Sequence, residues 1–136
     1  MRTASRLSVA VLLVLSTATA ALAQEEAAGT RVADRKFWAV AAALNTAMVL
    51  DTRSTFDVIR VCDHCREANP FVAPFVRRGP AVTFTAGEVF DAGVMSLAAK
   101  MKASDRTWVR RTWWVVPAAL GVGHTIAFRH NRRLLK

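Results

Sequence analysis

The stretch that decides the fold is FWAVAAALNTAMVLDTRSTFDVI, residues 37–59. Its first half is almost entirely apolar, whereas its second half contains Asp51, Arg53 and Asp57. A helix rises about 1.5 Å per residue, so roughly 20 residues are enough to cross the hydrocarbon core of a bilayer. The stretch therefore predicts a membrane-spanning helix that carries ionisable side chains in one half.

Two further apolar segments follow, at residues 81–99 and 113–128. Acidic residues occur in the first of these and are missing from the second. The loop NPFVAPFVRRGP, residues 69–80, is broken by prolines and separates the first two segments. The pattern predicts an all-α fold over residues 37–136, a membrane bundle of three transmembrane helices with a short basic C-terminal tail.

The first 23 residues predict a cleaved signal peptide. Arg2 and Arg6 precede the apolar run LSVAVLLVLSTATAALA, and Ala21 and Ala23 place small side chains at the two positions that signal peptidase inspects. We expect the mature chain to begin at Gln24, with a polar segment at residues 24–36 before the first helix. The alternative is an uncleaved anchor helix, although the apolar run is short for a membrane span.

The composition indicates a membrane protein rather than a nucleic-acid-binding protein. Hydrophobic residues make up 53% of the 136 residues, which is high for a soluble domain of this size. The formal net charge is +9, but the basic residues are clustered between apolar runs and do not alternate with aromatic side chains on one face. We therefore expect the lipid bilayer as a partner and no nucleic acid.

The tryptophans and the signal peptide together predict an orientation. With three crossings, the first and third helices start on the same side of the membrane, so all four tryptophans fall in one interfacial belt: Trp38, Trp108, Trp113 and Trp114. The basic residues are divided evenly between the two sides, so the signal peptide decides. It predicts a multi-pass protein of the bacterial inner membrane, with the mature N-terminus outside and the C-terminus in the cytoplasm.

Helical spacing groups several polar side chains near one end of the predicted bundle. Asp51, Ser54 and Thr55 lie three and four residues apart and therefore share a face of the first helix. His124 lies at a similar depth in the third helix, and a polar turn follows the first helix. The candidate polar motif comprises Asp51, Ser54, Thr55, Glu67, Asn69, Pro70 and His124. We expect Asp51, Thr55, Glu67, Asn69 and His124 to converge near one membrane face.

Two further expectations concern contacts of the first and third helices. Pro117, Gly121 and His124 line one side of the third helix, where small residues allow a neighbouring helix to approach closely. Arg53 and Asp57 lie four residues apart, so they are expected to pair with each other on the first helix.

The second helix carries the candidate intramembrane acids Glu88 and Asp91, on a face opposite Phe90, Gly93 and Leu97. A charged residue at a helix centre costs roughly 2.5–3.5 kcal/mol on insertion scales, so the pair would cost about 5–7 kcal/mol if ionised. This helix therefore needs partners, protonation or a water-filled interior. Either the acids have a function of their own, or they hydrogen-bond to neighbouring helices and hold the bundle together.

The order of DTRST at 51–55, EANPF at 67–71 and HNRRL at 130–134 resembles a family of small bacterial multi-span membrane proteins classed as a domain of unknown function. The resemblance covers residues 45–134 and depends on Asp51, Ser54, Thr55, Glu67, Asn69 and Pro70. The chain departs from the family pattern at His64, where a glycine is expected three residues before the glutamate. The resemblance implies a membrane bundle and implies no particular activity.

The stretch CDHC, Cys62 to Cys65, contains three weak candidates for metal ligands, Cys62, His64 and Cys65. A Cys-x-x-Cys pair belongs to redox sites in thioredoxin-like folds and to half of a zinc site elsewhere, but this chain has neither the alternating strands nor a second pair. In the predicted orientation the loop is cytoplasmic, where thiols are kept reduced. We therefore expect incidental free thiols, and no cofactor.

Three classes of function remain open. The first is an uncharacterised, non-enzymatic structural or accessory membrane component, whose polar motif locks the bundle or docks a membrane-protein partner or a second copy. The second is a proton or ion pathway through the intramembrane acids Glu88 and Asp91 together with His124 and Asp51. The third is a membrane enzyme that uses Asp51, Glu67 and His124 at the cytoplasmic face. The first class is favoured, so no catalytic residue is assigned.

Overall fold

The computed structural model describes residues 32–62 and 64–136. The predicted signal peptide and the expected start of the mature chain at Gln24 lie outside the described residues. The chain divides into two compact units, Met1–Asp34 and Arg35–Lys136. The second unit contains every helix discussed below.

The regular secondary structure of the described residues consists of helices, with no strand, which confirms the predicted all-α class. Three long helices are α1 (Arg35–Val61), α3 (Pro80–Lys102) and α5 (Val115–Leu134). Two short helices, α2 (Ala73–Val76) and α4 (Thr107–Thr112), lie in the connections and were not predicted. Among the residues that the structure describes, no helix combines the length and the apolar character needed to cross a membrane.

The start of α3 is set by the residues of the preceding loop. Gly79 has a φ of 98°, a left-handed conformation that only glycine adopts without strain. Pro80 occupies the first helical position, where its missing N–H costs nothing and its fixed φ suits the helix. Lys100 and Lys102 lie in the last turn, where positive charge is favourable beside the unpaired carbonyl groups.

Contacts at both ends show that α1 and α5 run parallel and that α3 runs antiparallel to them. At one end, the rings of Phe37 and Trp113 have centroids 5.7 Å apart, and the Nζ atom of Lys102 lies 4.9 Å from the centroid of Trp113. At the other end, Asn131 of α5 hydrogen-bonds to side chains in the last two turns of α1. Trp38, near the start of α1, and Trp113, just before the start of α5, therefore lie at the same end of the bundle.

The packed centre lies between α1 and α5. Leu44, Met48 and Pro117 are the largest fully buried side chains of the described residues. A Cβ atom added to Gly121 would lie 3.8 Å from the Cα atom of Leu44, so the two backbones are in close contact. The predicted packing face of the third helix, with Pro117 and Gly121 facing a neighbour, is confirmed.

Candidate functional site

The centre of the site is a pair formed by Asp51 of α1 and His124 of α5. The Nδ1 atom of His124 lies 2.8 Å from the Oδ2 atom of Asp51, and the two residues are 73 positions apart in the chain. Both side chains are mostly enclosed, with 18% of Asp51 and 27% of His124 exposed. Because an ionised carboxylate only accepts hydrogen bonds, this contact places a proton on Nδ1 and leaves Nε2 as the second ring nitrogen.

A second set of hydrogen bonds joins α1 and α5 closer to the C-terminal ends of both helices. The Nδ2 group of Asn131 donates to the hydroxyl of Ser54 at 3.1 Å and to that of Thr55 at 3.0 Å. Ser54 in turn donates to the backbone carbonyl of Asp51 at 2.9 Å. His124 and Asn131 are seven residues apart, which is about two helical turns, so they project from one face of α5.

The third contact ties α1 to α3. The Nδ2 group of Asn45 donates to the Oε1 atom of Glu88 at 2.7 Å. Together with the Asp51–His124 pair and the hydrogen bonds of Asn131, this contact connects α1 through side-chain hydrogen bonds to both of the other long helices, α3 and α5. We call these three sets of bonds the polar ladder, defined by Asn45 with Glu88, Asp51 with His124, and Ser54 and Thr55 with Asn131.

Asp91 lies in α3 one turn after Glu88 and differs from the members of the polar ladder. Only 5% of the residue is exposed, and none of the described residues forms a hydrogen bond with either carboxyl oxygen. It is close enough to His124 and to Glu88 to interact with both electrostatically. The predicted face of α3 is therefore confirmed, since Asp91 points inward while Phe90 and Leu97 on the opposite side are exposed.

The polar turn after α1 does not join this site. The Oε1 atom of Glu67 accepts from the backbone N–H of Asn69 at 2.8 Å, and the Oδ1 atom of Asn69 accepts from the N–H of Phe71 at 3.0 Å. Pro70 lies between them, is exposed, and cannot donate a backbone hydrogen bond. In the described part of the chain, no hydrogen bond links Glu67 or Asn69 to Asp51, Thr55 or His124. The expected convergence is thus confirmed for Asp51 and His124, whereas the side chains of Glu67 and Asn69 bind the backbone of their own loop.

The two cysteines are not free thiols in the structure. Cys62 and Cys65 form a disulfide, with Cα atoms 5.3 Å apart. The expectation of incidental thiols is corrected by this bond, which closes because the chain turns directly after α1. No group of three or more candidate ligands within residues 32–62 and 64–136 is arranged to hold a metal ion.

One ion pair differs from the expected one. Asp57 lies 3.9 Å from Arg60, three residues further along α1, and Arg53 is exposed. Both spacings bring side chains together on a helix, and here the side chain of Asp57 is directed toward the end of α1. Since both partners are partly exposed, the pair contributes little to stability.

Two members of the polar ladder were not identified from the sequence. Asn45 is the single amide in the apolar half of the first helix, and Asn131 lies in a tail that was assigned from its basic charge. An isolated amide in an apolar run costs free energy unless it finds a partner, which is the signal that points to Asn45. For Asn131, the seven-residue spacing from His124 is the corresponding signal.

The arrangement holds the helices together through polar side chains, with Asp51 and His124 at its centre. Asp91 is a further acid, without a hydrogen-bonded partner among the described residues. Two surface depressions of the described residues lie at the turn after α1 and beside the last turns of α5, and neither is lined by Asp51 or His124. No protein-family model, curated protein or solved structure matches this chain.

Proposed function

We propose that this chain is a small integral membrane protein with a non-enzymatic, structural or accessory role, whose polar ladder locks three helices into one bundle. The observation that carries the proposal is the distribution of side chains, with polar groups paired between the helices and large apolar groups facing outward. A water-soluble bundle has the opposite distribution, because apolar burial drives its folding.

The outward-facing apolar side chains extend along two helices. On α3, Val89 is 68% exposed, and Phe90 and Leu97 are also exposed; on α5, Val122 is 60% exposed and Ile126 is similar. Contiguous exposed apolar surface on a monomer marks a contact with lipid or with another protein. Lipid is the occupant we propose, because the exposed residues occupy the middle of both helices and not a single end.

The inward-facing polar groups support the same conclusion. In a membrane, association of helices depends on close packing and interhelical hydrogen bonds, since lipid removes the hydrophobic drive between helices. The polar ladder and the contact at Gly121 supply both. The acids that interrupt the apolar helices point into the bundle, away from the surface that would meet lipid, as is typical of ionisable groups in membranes.

The pairing of polar side chains inside the bundle favours a structural or accessory role over an enzymatic one, because these groups bind each other. Asp51 and His124 bind each other, Glu88 binds Asn45, and Glu67 is engaged in its own turn. The partners we propose are the bilayer and a second membrane protein or a second copy of the chain. Membership of the domain-of-unknown-function family is part of this proposal and is consistent with the contacts of Asp51, Ser54 and Thr55.

Lysine substitutions on the exposed faces test the membrane assignment. A lysine side chain is unfavourable where the helix faces lipid and is tolerated where the helix faces water. We expect Val89→Lys and Val122→Lys to reduce the amount of chain in the membrane fraction, since a lysine near the bilayer centre costs about 2.5–3.5 kcal/mol. The control is Phe71→Lys in the loop, where the side chain is 84% exposed. Unchanged or better yield of the two helix variants in the soluble fraction would contradict the proposal.

Orientation is tested separately, and we propose the one that the signal peptide predicts. A reporter active only in the periplasm should work when fused at Ser104 and fail after Lys136. The disulfide of Cys62 and Cys65 provides a second readout, because such a bond persists in the oxidising periplasm and is reduced in the cytoplasm. Cysteines that react with a membrane-permeant maleimide in the cell without prior reduction would place the turn in the cytoplasm. Reversed reporter activity, with cysteines that react only after reduction, would place the turn in the oxidising compartment.

A further inference from the structure

Asp91 is the buried acid of α3 that takes no part in the polar ladder. Every other acid of the long helices that faces the bundle interior has a hydrogen-bonded partner, namely Asp51 with His124 and Glu88 with Asn45. Asp91 is more deeply buried than either, yet both of its carboxyl oxygens are without a partner among the residues that the structure describes. Burying an ionised carboxylate without a partner is far more costly than burying a neutral acid.

Among the described residues, two titratable groups interact electrostatically with Asp91, namely Glu88, one turn earlier on α3, and His124 of α5. From α1 the nearest charged group in this network is Asp51, which is bound to His124. The short helices α2 and α4 also pack against α3, but they bring no charged group that interacts with Asp91.

The ligand that best fits this site is a proton. A metal cation needs several oxygen or nitrogen ligands around it. Within residues 32–62 and 64–136 no group of three or more histidine, cysteine or acidic side chains is so arranged. A proton requires one carboxyl oxygen and removes the charge that makes burial costly.

We propose that Asp91 is a proton-binding site, in which one of its two carboxyl oxygens carries the proton. Loss of the proton to water breaks this O–H bond and leaves a buried carboxylate without a hydrogen-bonded partner among the described residues. The inference rests on the proposed function in one respect, since a neutral Asp91 lets α3 lie within a membrane.

Infrared spectroscopy of the full chain in detergent tests the site, because a protonated carboxyl group and a carboxylate absorb at different frequencies. At about pH 5, where ordinary carboxyl groups are mostly ionised, we expect a protonated-carboxyl band that shifts when aspartate is labelled with carbon-13 and does not shift when glutamate is labelled. Asp91→Asn should abolish the band, and Asp57→Asn, at a partly exposed acid of α1, should leave it unchanged. Asp91→Glu should transfer the band from the aspartate label to the glutamate label, which keeps the test decisive if Asp91→Asn does not fold.

Exchange of the bound proton with solvent has its own readout. In deuterium oxide the band should shift as the proton is replaced. A missing band, a band that follows the glutamate label in the parent chain, or one that survives Asp91→Asn would overturn the proton site. These measurements do not require a bilayer, so failure of the membrane assignment is detected independently by the lysine substitutions.

Discussion

Replacing Asp51 with alanine is expected to lower the free energy of unfolding by about 2–3 kcal/mol, since hydrogen bonds to charged groups fall in this range and the partner is left buried and unpaired. The partner is His124, whose Nδ1 atom lies 2.8 Å from the carboxylate. Denaturant titration of the purified chain in detergent measures the change. Lower abundance in cells should accompany it, because destabilised chains are degraded.

A double-mutant cycle separates this pair from the general effect of losing a side chain. If Asp51 and His124 interact directly, Asp51→Ala combined with His124→Ala should cost at least about 1 kcal/mol less than the sum of the single variants. Additive single changes would show that the contact does not carry the stability of this layer.

Two acidic residues of the same region serve as controls. Asp57→Ala should change stability by no more than about 0.5 kcal/mol, because its contact with Arg60 is long and partly exposed. Glu67→Ala should cost about 1 kcal/mol or less, because it loses one hydrogen bond within an exposed turn. A loss of stability in Glu67→Ala as large as that in Asp51→Ala would show that the loop contributes to the site.

The parts of the fold that followed from the sequence are those that depend on a single helix. The three apolar segments lie within or overlap α1, α3 and α5, because an apolar run and its proline or glycine boundaries act locally. The inward direction of Asp91 also followed, since helical periodicity alone opposes it to Phe90 and Leu97. The contact of Asp51 with His124 needed only similar depths in two helices that start on the same side.

The parts that did not follow depend on how the helices are rotated against each other. Asn45 meets Glu88 only because α1 turns that face toward α3, and a single sequence does not contain this angle. Glu67 and Asn69 were placed with Asp51 by proximity along the chain, but Pro70 turns the backbone and their side chains bond to the loop itself. The disulfide likewise depends on the conformation of the turn after α1.

The close approach of α1 and α5 makes Gly121 the second position with a large expected effect. A Cβ atom at Gly121 would lie 3.8 Å from the Cα atom of Leu44, which is ordinary contact with backbone that cannot move aside. Gly123 is on the same helix two residues later, and a Cβ atom there would meet nothing within 4 Å. The two glycines therefore provide the same substitution at a packed position and at an open one.

Gly121→Leu is expected to lower the free energy of unfolding by about 2–3 kcal/mol, because its side chain must push α1 away from α5 and strain the polar ladder. Gly121→Ala should be neutral or stabilising by up to about 1 kcal/mol, since the methyl group fits and alanine favours the helix. Gly123→Leu should be neutral or stabilising by up to about 1 kcal/mol, since leucine also favours the helix and a Cβ atom there meets nothing within 4 Å. Denaturant titration in detergent compares the three variants, with the Asp51 and His124 cycle repeated in each. If Gly121→Leu and Gly123→Leu unfold alike, or if the Asp51 coupling survives Gly121→Leu undiminished, the polar ladder does not depend on close contact of these two backbones.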